Sequence, residues 1–554
     1  MNNWRVEYQN SSGDPQITPQ NINNVLLRNR GIKNKNEIKE FLDPDLSKVT
    51  PQKVGINIKN LRKSVGRIKQ AIENKEKIII YGDYDVDGVC ASAIIWETLS
   101  SIGAQVLPFI PSRFEQGYGL SKEGIDAILQ KQDISLIITV DNGIVANDAV
   151  AYAQKNGVDV IVTDHHTPSA DLPKAFSIVH TTKLCGAGVA YLLAREFKIS
   201  NSTFKTEQDD HLSLVALATV ADLVPLVGAN RTLLYFGLKT LQRTRRPGLL
   251  ALFAKAGMDK QEIGVYEIGH IIAPRLNATG RLDDATDSLR LICTKSRERA
   301  DKLATLLSDT NTARQQLTLE ALDYAKEKVD KKTLGKLIFI SSDGFNQGIV
   351  GLVAGRLVEE YYLPSIVISK GKKYSKASAR SVKGFNITQF LRTASDLMVD
   401  IGGHPMAAGF TVETEKLNEL EKKLFEVAEK MITKDQLVRS LRIDLELPEE
   451  LITSGTYDLT QKLAPFGMGN PEPTFLTKNL TVENLRTVGS DGEHLKLGFR
   501  SQHSDLRFEG IYFKGGQYSK VKTGDKVDAV YVLDEHIWNG YKNLQLKVKD
   551  LKRI

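Results

Sequence analysis

The sequence predicts an α/β protein of several domains that ends in a small β-barrel. Short apolar runs alternate with helical patterns between residues 71 and 166. The segment KSRERADKLATLLSDTNTARQQLTLEALDYAKEKV is long and amphipathic, and the residues after 440 alternate apolar with polar side chains. A chain of 554 residues is also too long for one hydrophobic core, so about three or four domains are expected.

Five segments follow one another in this prediction. Residues 1–70 are expected to be helical, because polar breaks separate short patterns such as ITPQNINNVLLRNRG. Residues 71–300 contain the apolar runs EKIIIYGD, AQVLPFIP, ISLIITVDNG and VDVIVTDHH, separated by helical patterns as βαβ units require. Residues 301–332 form a connecting helix, residues 333–433 a second and smaller α/β domain, and residues 440–554 the barrel.

Composition limits the class of protein. The formal net charge of +7 is compatible with a polyanionic partner without requiring one. Cys90, Cys185 and Cys293 cannot build a disulfide framework or a zinc ligand set, which indicates a reducing compartment. The start of the sequence lacks a signal-peptide pattern, and no apolar run approaches about 18 residues. We therefore expect a cytoplasmic protein without membrane contact.

Carboxylates gather where the first predicted strand ends. Asp83, Asp85 and Asp87 alternate directly after an apolar run, and alternate residues of an extended strand share a face. Three like charges at the edge of a core would raise one another's pKa unless a cation offsets them. The sequence therefore predicts a divalent-metal site.

The same segment, DYDVDG, also fits the start of a calcium-binding helix–loop–helix. That loop requires Glu at its twelfth position, where this chain has Ile94, and a preceding helix, where this chain has a strand-like run. The calcium-binding loop is therefore excluded.

The strand-end argument extends to three further segments. Asp141 ends LIITVDNG, Asp164, His165 and His166 end VIVTDHH, and Asp222 lies in the apolar SLVALATVADLVPL. Each alone could be an N-cap, a turn carboxylate or a hydrogen-bonded core histidine. Because the carboxyl ends of parallel strands meet at one sheet edge, we expect them to converge. Carboxylates with imidazole favour manganese or magnesium.

These motifs carry a family resemblance. In this order, DYDVDG, VDNG, TDHH and ATVADLVPL resemble the four phosphoesterase motifs of the DHH superfamily. GGHPMAAGF resembles the glycine-rich motif of the DHH-associated domain, and the terminal barrel resembles an OB fold. The whole arrangement, which covers nearly the full chain, resembles the bacterial exonucleases of this superfamily that are specific for single-stranded DNA.

The resemblance implies a set of ligands for two divalent cations, Mn2+ or Mg2+: Asp85, Asp87, Asp141, His165 and Asp222. It further implies catalytic roles for Asp141, His166 and Asp164, with His166 facing the scissile phosphate, and a supporting role for Asp83. Related pyrophosphatases have a histidine where this chain has Tyr81, so one cation would have fewer protein ligands.

The resemblance also implies contacts with the substrate. Arg113 on a loop, Arg275 and Arg281 around a turn, and Arg380 with Ser381 before a helix are candidates, although such arginines are often merely solvated. Gly402, Gly403 and His404 would let the backbone approach a phosphate, although a GGH stretch is often only a turn. In the barrel, base stacking and backbone contacts are assigned to Tyr512, Lys514, Trp538, Tyr541 and Lys542, although strand alternation buries about half of the aromatics.

The function implied is a metal-dependent exonuclease that hydrolyses single-stranded DNA from its 5′ end to mononucleotides, in DNA repair and recombination. Its polarity follows from the resemblance alone. We expect a monomer, with a helicase and a single-strand-binding protein as candidate partners. The alternatives are a phosphoesterase for short oligonucleotides or signalling nucleotides, which would need neither the long helix nor the barrel, and a DNA-binding scaffold with a decayed metal site, which the intact acidic motifs argue against.

Overall fold

The computed structural model describes residues 3–8, 17–112, 116–201, 210–329, 335–489, 491–502, 504–515, 521–538 and 541–554, and three β-sheets organise them. Arg113 lies outside the described residues, as do the side chains of Trp538 and Tyr541. The roles expected for these three residues therefore stay predictions.

The chain begins with one strand and three helices: β1 (Asn3–Tyr8), α1 (Ile22–Asn29), α2 (Lys35–Leu42) and α3 (Ile58–Glu73). The side chains of Asn34 and Asn57 accept hydrogen bonds from backbone N–H groups in the first turns of α2 and α3, and so fix where these helices begin. The short helices expected in residues 1–70 are accompanied by a strand that was not expected, at residues 3–8.

A parallel sheet forms the centre of the next domain. Its strands are β2 (Ile78–Tyr81), β3 (Val106–Phe109), β4 (Leu136–Val140), β5 (Asp159–Asp164) and β6 (Ser177–His180), paired in the order β3-β2-β4-β5-β6. The helices between and after them are α4 (Val86–Ser100), α5 (Lys122–Leu129), α6 (Asn147–Lys155) and α7 (Gly186–Ile199). Ile78 and Ile80 face one core, whereas Ile79 and Tyr81 face another. The predicted parallel sheet is confirmed, and the carboxyl ends of β2, β4 and β5 lie side by side.

Helices dominate the chain after this sheet. They are α8 (His211–Ala221), α9 (Gly228–Gln242), α10 (Pro247–Lys255), α11 (Val265–Glu267), the π-helix Ile268–Ile272, α12 (Ala273–Leu282), α13 (Thr286–Cys293) and α14 (Arg297–Lys328). The predicted connecting helix is α14, which starts at Arg297 because Ser296 caps it. Ala300 and Leu307 of α14 pack on the first domain, and Leu322 and Ala325 pack on the second. The helix therefore joins the two cores.

The second α/β domain has a mixed sheet. Its elements are β7 (Ile338–Ser342), α15 (Val350–Tyr361), β8 (Ser365–Ser369), β9 (Tyr374–Arg380), α16 (Ile387–Arg392), β10 (Met398–His404), β11 (Ala407–Glu413) and α17 (Leu417–Met431). The strand order is β10-β11-β9-β8-β7, in which β7 and β8 are parallel and the other pairs antiparallel. The glycine-rich strand β10 thus lies at the sheet edge.

The last domain is the predicted barrel. It comprises β12 (Ser440–Glu446), α18 (Ser454–Gln461), β13 (Phe475–Val488), β14 (His494–Arg500), β15 (Arg507–Tyr512), β16 (Lys526–Trp538) and β17 (Tyr541–Arg553). Because β13 pairs with both β14 and β16, the sheet closes on itself. Strand β1 pairs in parallel with β12, where Trp4 and Val6 pack on Ile443. The start of the chain therefore belongs to the barrel sheet.

Candidate metal centre

The first acidic segment connects β2 to α4. Asp85 caps α4, since its Oδ1 accepts a hydrogen bond of 3.0 Å from the backbone N–H of Gly88. Asp87 is buried in the first turn of α4, and its carboxylate accepts hydrogen bonds of 2.6 Å from the backbone N–H groups of Gly186 and Ala187 at the start of α7. The spacing of the three aspartates predicts that they share a face of one strand. They do not, because α4 already begins at Val86. Two helix N-termini favour the charge of Asp87 instead.

Asp141 follows β4 directly and adopts a left-handed backbone conformation with φ of 63°. Aspartate tolerates this conformation better than most residues. Gly186 lies so close that a Cβ there would be 2.6 Å from the Asp141 carboxylate. A glycine at the start of α7 is therefore what allows Asp141 and Asp87 to occupy one site.

His165 is the point at which the acidic groups meet. Its Nε2 lies 3.1 Å from Asp141 Oδ1, 3.6 Å from Asp222 Oδ2 and 3.8 Å from Asp87 Oδ2. Asp222 comes from the C-terminal end of α8 and not from a strand end, because the apolar segment before it forms a helix that is buried on every side. The acidic residues and His165 thus converge as expected, but Asp222 reaches the site from the end of a helix and not from the end of a strand.

Ligand atoms that lie within 4.8 Å of one another form three overlapping groups: Asp87–His165–Asp222, Asp83–Asp85–Asp141 and Asp141–His165–His166. All five predicted ligands belong to at least one group. Asp83, expected only to support the ligands, offers an atom to the second group.

Burial and mutual repulsion make this cluster costly without a cation. Burial, followed by the charges of neighbouring aspartates, raises the pKa of Asp87, Asp141 and Asp222. Burial lowers the pKa of His165 to about 4, so the ring is neutral at pH 7 and can act as a ligand. The buried Oδ1 of Asp141 accepts no hydrogen bond from any residue that the structure describes. Divalent cations would satisfy this oxygen and offset the repulsion, so the residues present fit a Mn2+ or Mg2+ centre.

Asp164 holds the second histidine of the pair. Its Oδ1 accepts hydrogen bonds from the backbone N–H groups of His165 and His166 at 2.6 and 3.1 Å, and it lies 2.7 Å from His166 Nδ1. Burial alone would lower the pKa of His166, but the hydrogen bond and charge of Asp164 outweigh it and raise that pKa to about 9. His166 is therefore an imidazolium at neutral pH.

Three residues that sequence reasoning did not assign support this arrangement. The Tyr118 hydroxyl lies 3.0 Å from His166 Nε2. Asn142 donates to the carbonyl oxygens at the ends of β2 and β4, at 3.2 and 2.9 Å, and Asn277 accepts from the first N–H of α4 at 3.0 Å. Asn142 lies inside the VDNG motif and could have been found there. Tyr118 and Asn277 have no local signal, because they reach the site from segments distant in sequence.

Tyr81 is the residue at which the resemblance implies that one cation has fewer protein ligands. It is fully buried, and its hydroxyl donates a 3.1 Å hydrogen bond to the carbonyl oxygen of Gly119. Burial raises its pKa to about 12. Its side chain packs on the sheet face opposite the core that contains Ile80, so it supplies no ligand to the centre.

Two of the predicted substrate arginines border the start of α15. Arg281 Nη1 lies 3.4 Å from the carbonyl oxygen of Gly348, and Arg380 Nη2 is 2.8 Å from where a Cβ on Gly351 would stand. Arg275 and Arg281 lie on helix α12 and not around a turn, because residues 273–282 continue the preceding helical segment. Arg275 bonds to the carbonyl oxygen of Ile271 at 2.8 Å, and burial lowers its pKa.

The glycine-rich segment lies beside Ser381. Gly402, Gly403 and His404 form the end of edge strand β10, and the neighbouring hairpin residue Met406 accepts a hydrogen bond from the Ser381 backbone N–H. Ser381 itself is buried, and its hydroxyl donates to the carbonyl oxygen of Phe385 at 2.6 Å. Arg380 and Ser381 thus lie next to this hairpin, as expected. The Ser381 hydroxyl, however, already donates its hydrogen bond within the protein.

The barrel candidates differ in exposure. Tyr512 is half-buried and packs on the barrel core, whereas Lys514 is exposed beside its neighbour Phe513. Phe513 is 50% exposed, and Lys547 Nζ lies 5.9 Å from its ring centroid. Lys542 forms a 2.7 Å ion pair with Glu535 on the adjacent strand. Among these residues Phe513, with Lys514 and Lys547, has the geometry suited to stacking a base.

The parallel sheet, the Asp-His-His end of β5 and the acidic cluster define a protein of the DHH phosphoesterase class with a divalent-metal centre. Residues 77–219 match the DHH family, N-terminal domain, residues 333–430 the DHHA1 domain and residues 443–550 the RecJ OB domain. The chain belongs to the RecJ family, which confirms the resemblance seen in the sequence.

Curated relatives support this membership. The chain is 37% identical over 505 residues to the single-stranded-DNA-specific exonuclease RecJ of Bacillus subtilis, a match that covers 89% of this chain and 63% of the relative. It is 31% identical over 522 residues to the protein of the same name from Thermus thermophilus, covering 93% of this chain and 73% of the relative. The chain thus spans somewhat less than two thirds of the length of the first relative.

Solved structures agree with the fold. The crystal structure of RecJ from Thermus thermophilus in complex with Mn2+ superposes with a TM-score of 0.83 at 29% identity, covering 99% of this chain and 79% of that chain. The Mg2+ complex of the same protein gives a TM-score of 0.78 at 28% identity, with 99% and 78% covered. Within the described part of the chain, no helix has the length and apolar character needed to span a membrane.

Proposed function

We propose that this chain is a metal-dependent exonuclease that hydrolyses the phosphodiester bonds of single-stranded DNA from the 5′ end to mononucleotides. The observation that carries the proposal is the meeting of Asp87, Asp141 and Asp222 within 3.8 Å of His165 Nε2. The printed names of the curated relatives support the substrate.

In this proposal Asp85, Asp87, Asp141, His165 and Asp222 hold two divalent cations, with Asp83 beside them. Divalent cations bound there would lower the pKa of a water nucleophile and stabilise charge on the attacking and leaving oxygens. The position of the cations would be set by carboxylates that are themselves held in place. Asp87, for example, is fixed by 2.6 Å hydrogen bonds from the backbone N–H groups of Gly186 and Ala187.

His166 stabilises the phosphate during hydrolysis. Asp164 keeps its ring protonated and oriented, so that Nε2, which lies 3.0 Å from the Tyr118 hydroxyl, can donate a hydrogen bond or a proton to a phosphoryl or leaving oxygen. Asp164 thereby acts on catalysis through His166.

The second domain and the barrel handle the strand. Arg281 and Arg380 both lie near the start of α15, where their guanidinium groups bind the terminal phosphate. Arg113, Arg275, Ser381 and the segment Gly402–His404 are further candidates for this contact. In the barrel, Phe513 stacks on a base of the single strand beside Lys514 and Lys547, and Tyr512, Trp538, Tyr541 and Lys542 are further candidates for stacking and backbone contacts.

A cellular role in DNA repair and recombination belongs to the same proposal. A nuclease restricted to single strands needs its substrate separated from duplex DNA, so a helicase and a single-strand-binding protein are the partners we propose. A monomeric state and a cytoplasmic location complete it.

The test is an assay with a long single strand, a duplex of the same sequence and a dinucleotide, each with Mn2+, with Mg2+ and in chelator. We expect release of mononucleotides from a 5′-labelled single strand at early times and retention of a 3′ label in long products. Preference for the dinucleotide would favour a phosphoesterase for short oligonucleotides or signalling nucleotides. Equal activity in chelator would refute the metal mechanism.

A further inference from the structure

The segment that follows Asp222 is bound to a loop of the barrel. Residues 223–227 connect α8 to α9, and Leu223 begins this connection with φ of 56° and 64% of its surface exposed. The backbone N–H of Leu226 donates a 2.7 Å hydrogen bond to the carbonyl oxygen of Met468. We call residues 463–470 the barrel loop. The barrel loop therefore contacts Leu226, which lies only four residues after the predicted metal ligand Asp222.

Arg231, in the first turns of α9, strengthens this contact. It is 2% exposed, and its guanidinium donates to the carbonyl oxygens of Leu463 at 2.9 Å and Ala464 at 2.7 Å in the barrel loop. A third bond of 2.9 Å reaches the carbonyl oxygen of Phe41, whose ring lies 3.8 Å below the guanidinium. One side chain therefore joins α9, the N-terminal segment and the barrel loop.

A buried guanidinium is costly unless its N–H groups are all satisfied. Every hydrogen-bond partner of Arg231 among the described residues is a backbone carbonyl oxygen. Burial accordingly lowers its pKa to about 10. Because carbonyl oxygens at fixed positions accept these bonds, the geometry of the contact is well defined.

The barrel loop also fits closely against the residues before α9. A Cβ on Gly469 would lie 2.9 Å from Pro225 Cβ, and a Cβ on Gly467 would lie 2.6 Å from Leu226 Cδ1. On its other side, Asn470 donates to the carbonyl oxygens of Leu463 and Pro465, both at 2.9 Å, which stiffens the loop. The loop is thus a rigid surface against which Pro225 and Leu226 are packed.

We propose that the barrel loop and Arg231 position Asp222 in the metal centre, so that the barrel contributes to metal binding as well as to DNA binding. Asp222 is the residue at which α8 ends, and its carboxylate is 26% exposed. The chain beyond it is held by the contacts of Pro225, Leu226 and Arg231 with the barrel loop. This inference rests on the proposed function and extends it to the link between two domains.

The experiment uses two matched glycine variants of the full chain. Gly469 and Gly524 both lie in the barrel domain with positive φ, 74° and 92°, so Gly469→Ala and Gly524→Ala share the backbone strain. A Cβ at 469 pushes on Pro225, whereas nothing lies within 4 Å of a Cβ at 524. Arg231→Lys is a third variant, which keeps the charge but loses the planar fork that serves separate carbonyl oxygens.

Three quantities are measured for each variant: Mn2+ binding without DNA, from the electron paramagnetic resonance of free Mn2+; single-stranded DNA binding in chelator; and cleavage as a function of Mn2+ concentration. We expect Gly469→Ala to weaken Mn2+ binding about tenfold, as the loss of groups that orient metal ligands commonly does. Arg231→Lys should act in the same direction, and excess Mn2+ should restore kcat. DNA affinity in chelator should match the wild-type chain, and Gly524→Ala should resemble it throughout.

The outcomes separate this inference from the proposed function. A wild-type chain that binds no Mn2+ overturns both. If the wild type binds Mn2+ and Gly469→Ala binds it equally well, the inference alone is overturned. It is also overturned if both glycine variants weaken Mn2+ binding to the same extent, because strain within the barrel would then explain the loss.

Discussion

Replacing Asp164 with Asn should make cleavage depend on pH in a new range. Burial lowers the pKa of His166, but the 2.7 Å contact of Nδ1 with Asp164, with smaller contributions from Asp222 and Asp83, raises that pKa from its ordinary 6.5 to about 9. A histidine with a raised pKa carries its charge at every pH below the raised value. Cations in the site would neutralise the more distant carboxylates, so the direct contact with Asp164 is the part expected to persist.

The magnitude follows from these two values. At pH 7.5 a pKa of about 9 keeps more than about nine-tenths of His166 protonated, whereas a pKa of about 6.5 leaves about one-tenth. Asp164→Asn should therefore lower kcat about tenfold at pH 7.5, and the deficit should shrink as the pH falls towards about 5.5, where the variant is again protonated.

The assay is a pH series of kcat at saturating single-stranded DNA and Mn2+. Asp126→Asn is a control in the same domain, because Asp126 also accepts a short hydrogen bond, from the Tyr152 hydroxyl at 2.6 Å. A deficit of the same size at every pH would refute the reasoning, since it would point to misplacement of the ring and not to loss of its charge. So would a variant with wild-type kcat at pH 7.5.

Three further predictions concern the metal centre, the fold and the barrel. Asp141→Ala should abolish cleavage and leave DNA binding in chelator intact; retained cleavage would remove Asp141 from the ligands. Burial raises the pKa of Glu97, but hydrogen bonds from His211 and Arg246 outweigh it and lower that pKa to about 2. The ionised carboxylate therefore stabilises the fold fully above its ordinary pKa, and this stabilisation is lost as the pH falls through about 2. Glu97→Gln should then lower the free energy of unfolding by about 3 kcal/mol at pH 7 and by less than half of that at pH 3, measured by urea titration; an equal loss at both pH values would contradict this account. Phe513→Ala should weaken single-strand binding by about 1–3 kcal/mol whatever the base sequence, and unchanged affinity in a filter-binding assay would exclude the stacking role.

Local sequence predicts those parts of the site that follow strands. Asp141 and the pair His165 and His166 come directly after buried apolar runs, and parallel pairing brings such strand ends together. The sequence did not show, by contrast, that Asp222 follows a helix and not a strand. An apolar run that is buried on every side has no helical periodicity, so a buried helix and a buried strand look alike.

Contacts between segments distant in sequence were beyond local reasoning. The residues of β1, NWRVEY, alternate polar with apolar side chains and precede the turn signal SSGDP, but nothing near them in the sequence indicates that their partner is β12. The contact of Arg281 with Gly348 crosses from one domain to the next, and nothing near either residue in the sequence indicates it. The spacing of motifs gives the ligands of a metal, whereas the supports of those ligands follow only from the three-dimensional packing.

The parallel pairing of β1 with β12 has a consequence for synthesis. Asn3 lies opposite Ser440, so β1 cannot complete its strand pair until 437 further residues have been translated. At about 5–20 residues per second this delay is roughly 20 to 90 seconds, during which β1 presents Trp4 and Val6 without the surface that they later cover. Strand β1 is therefore added late, at the outer edge of the sheet beside β12, whereas the barrel itself closes through the pairing of β13 with β16.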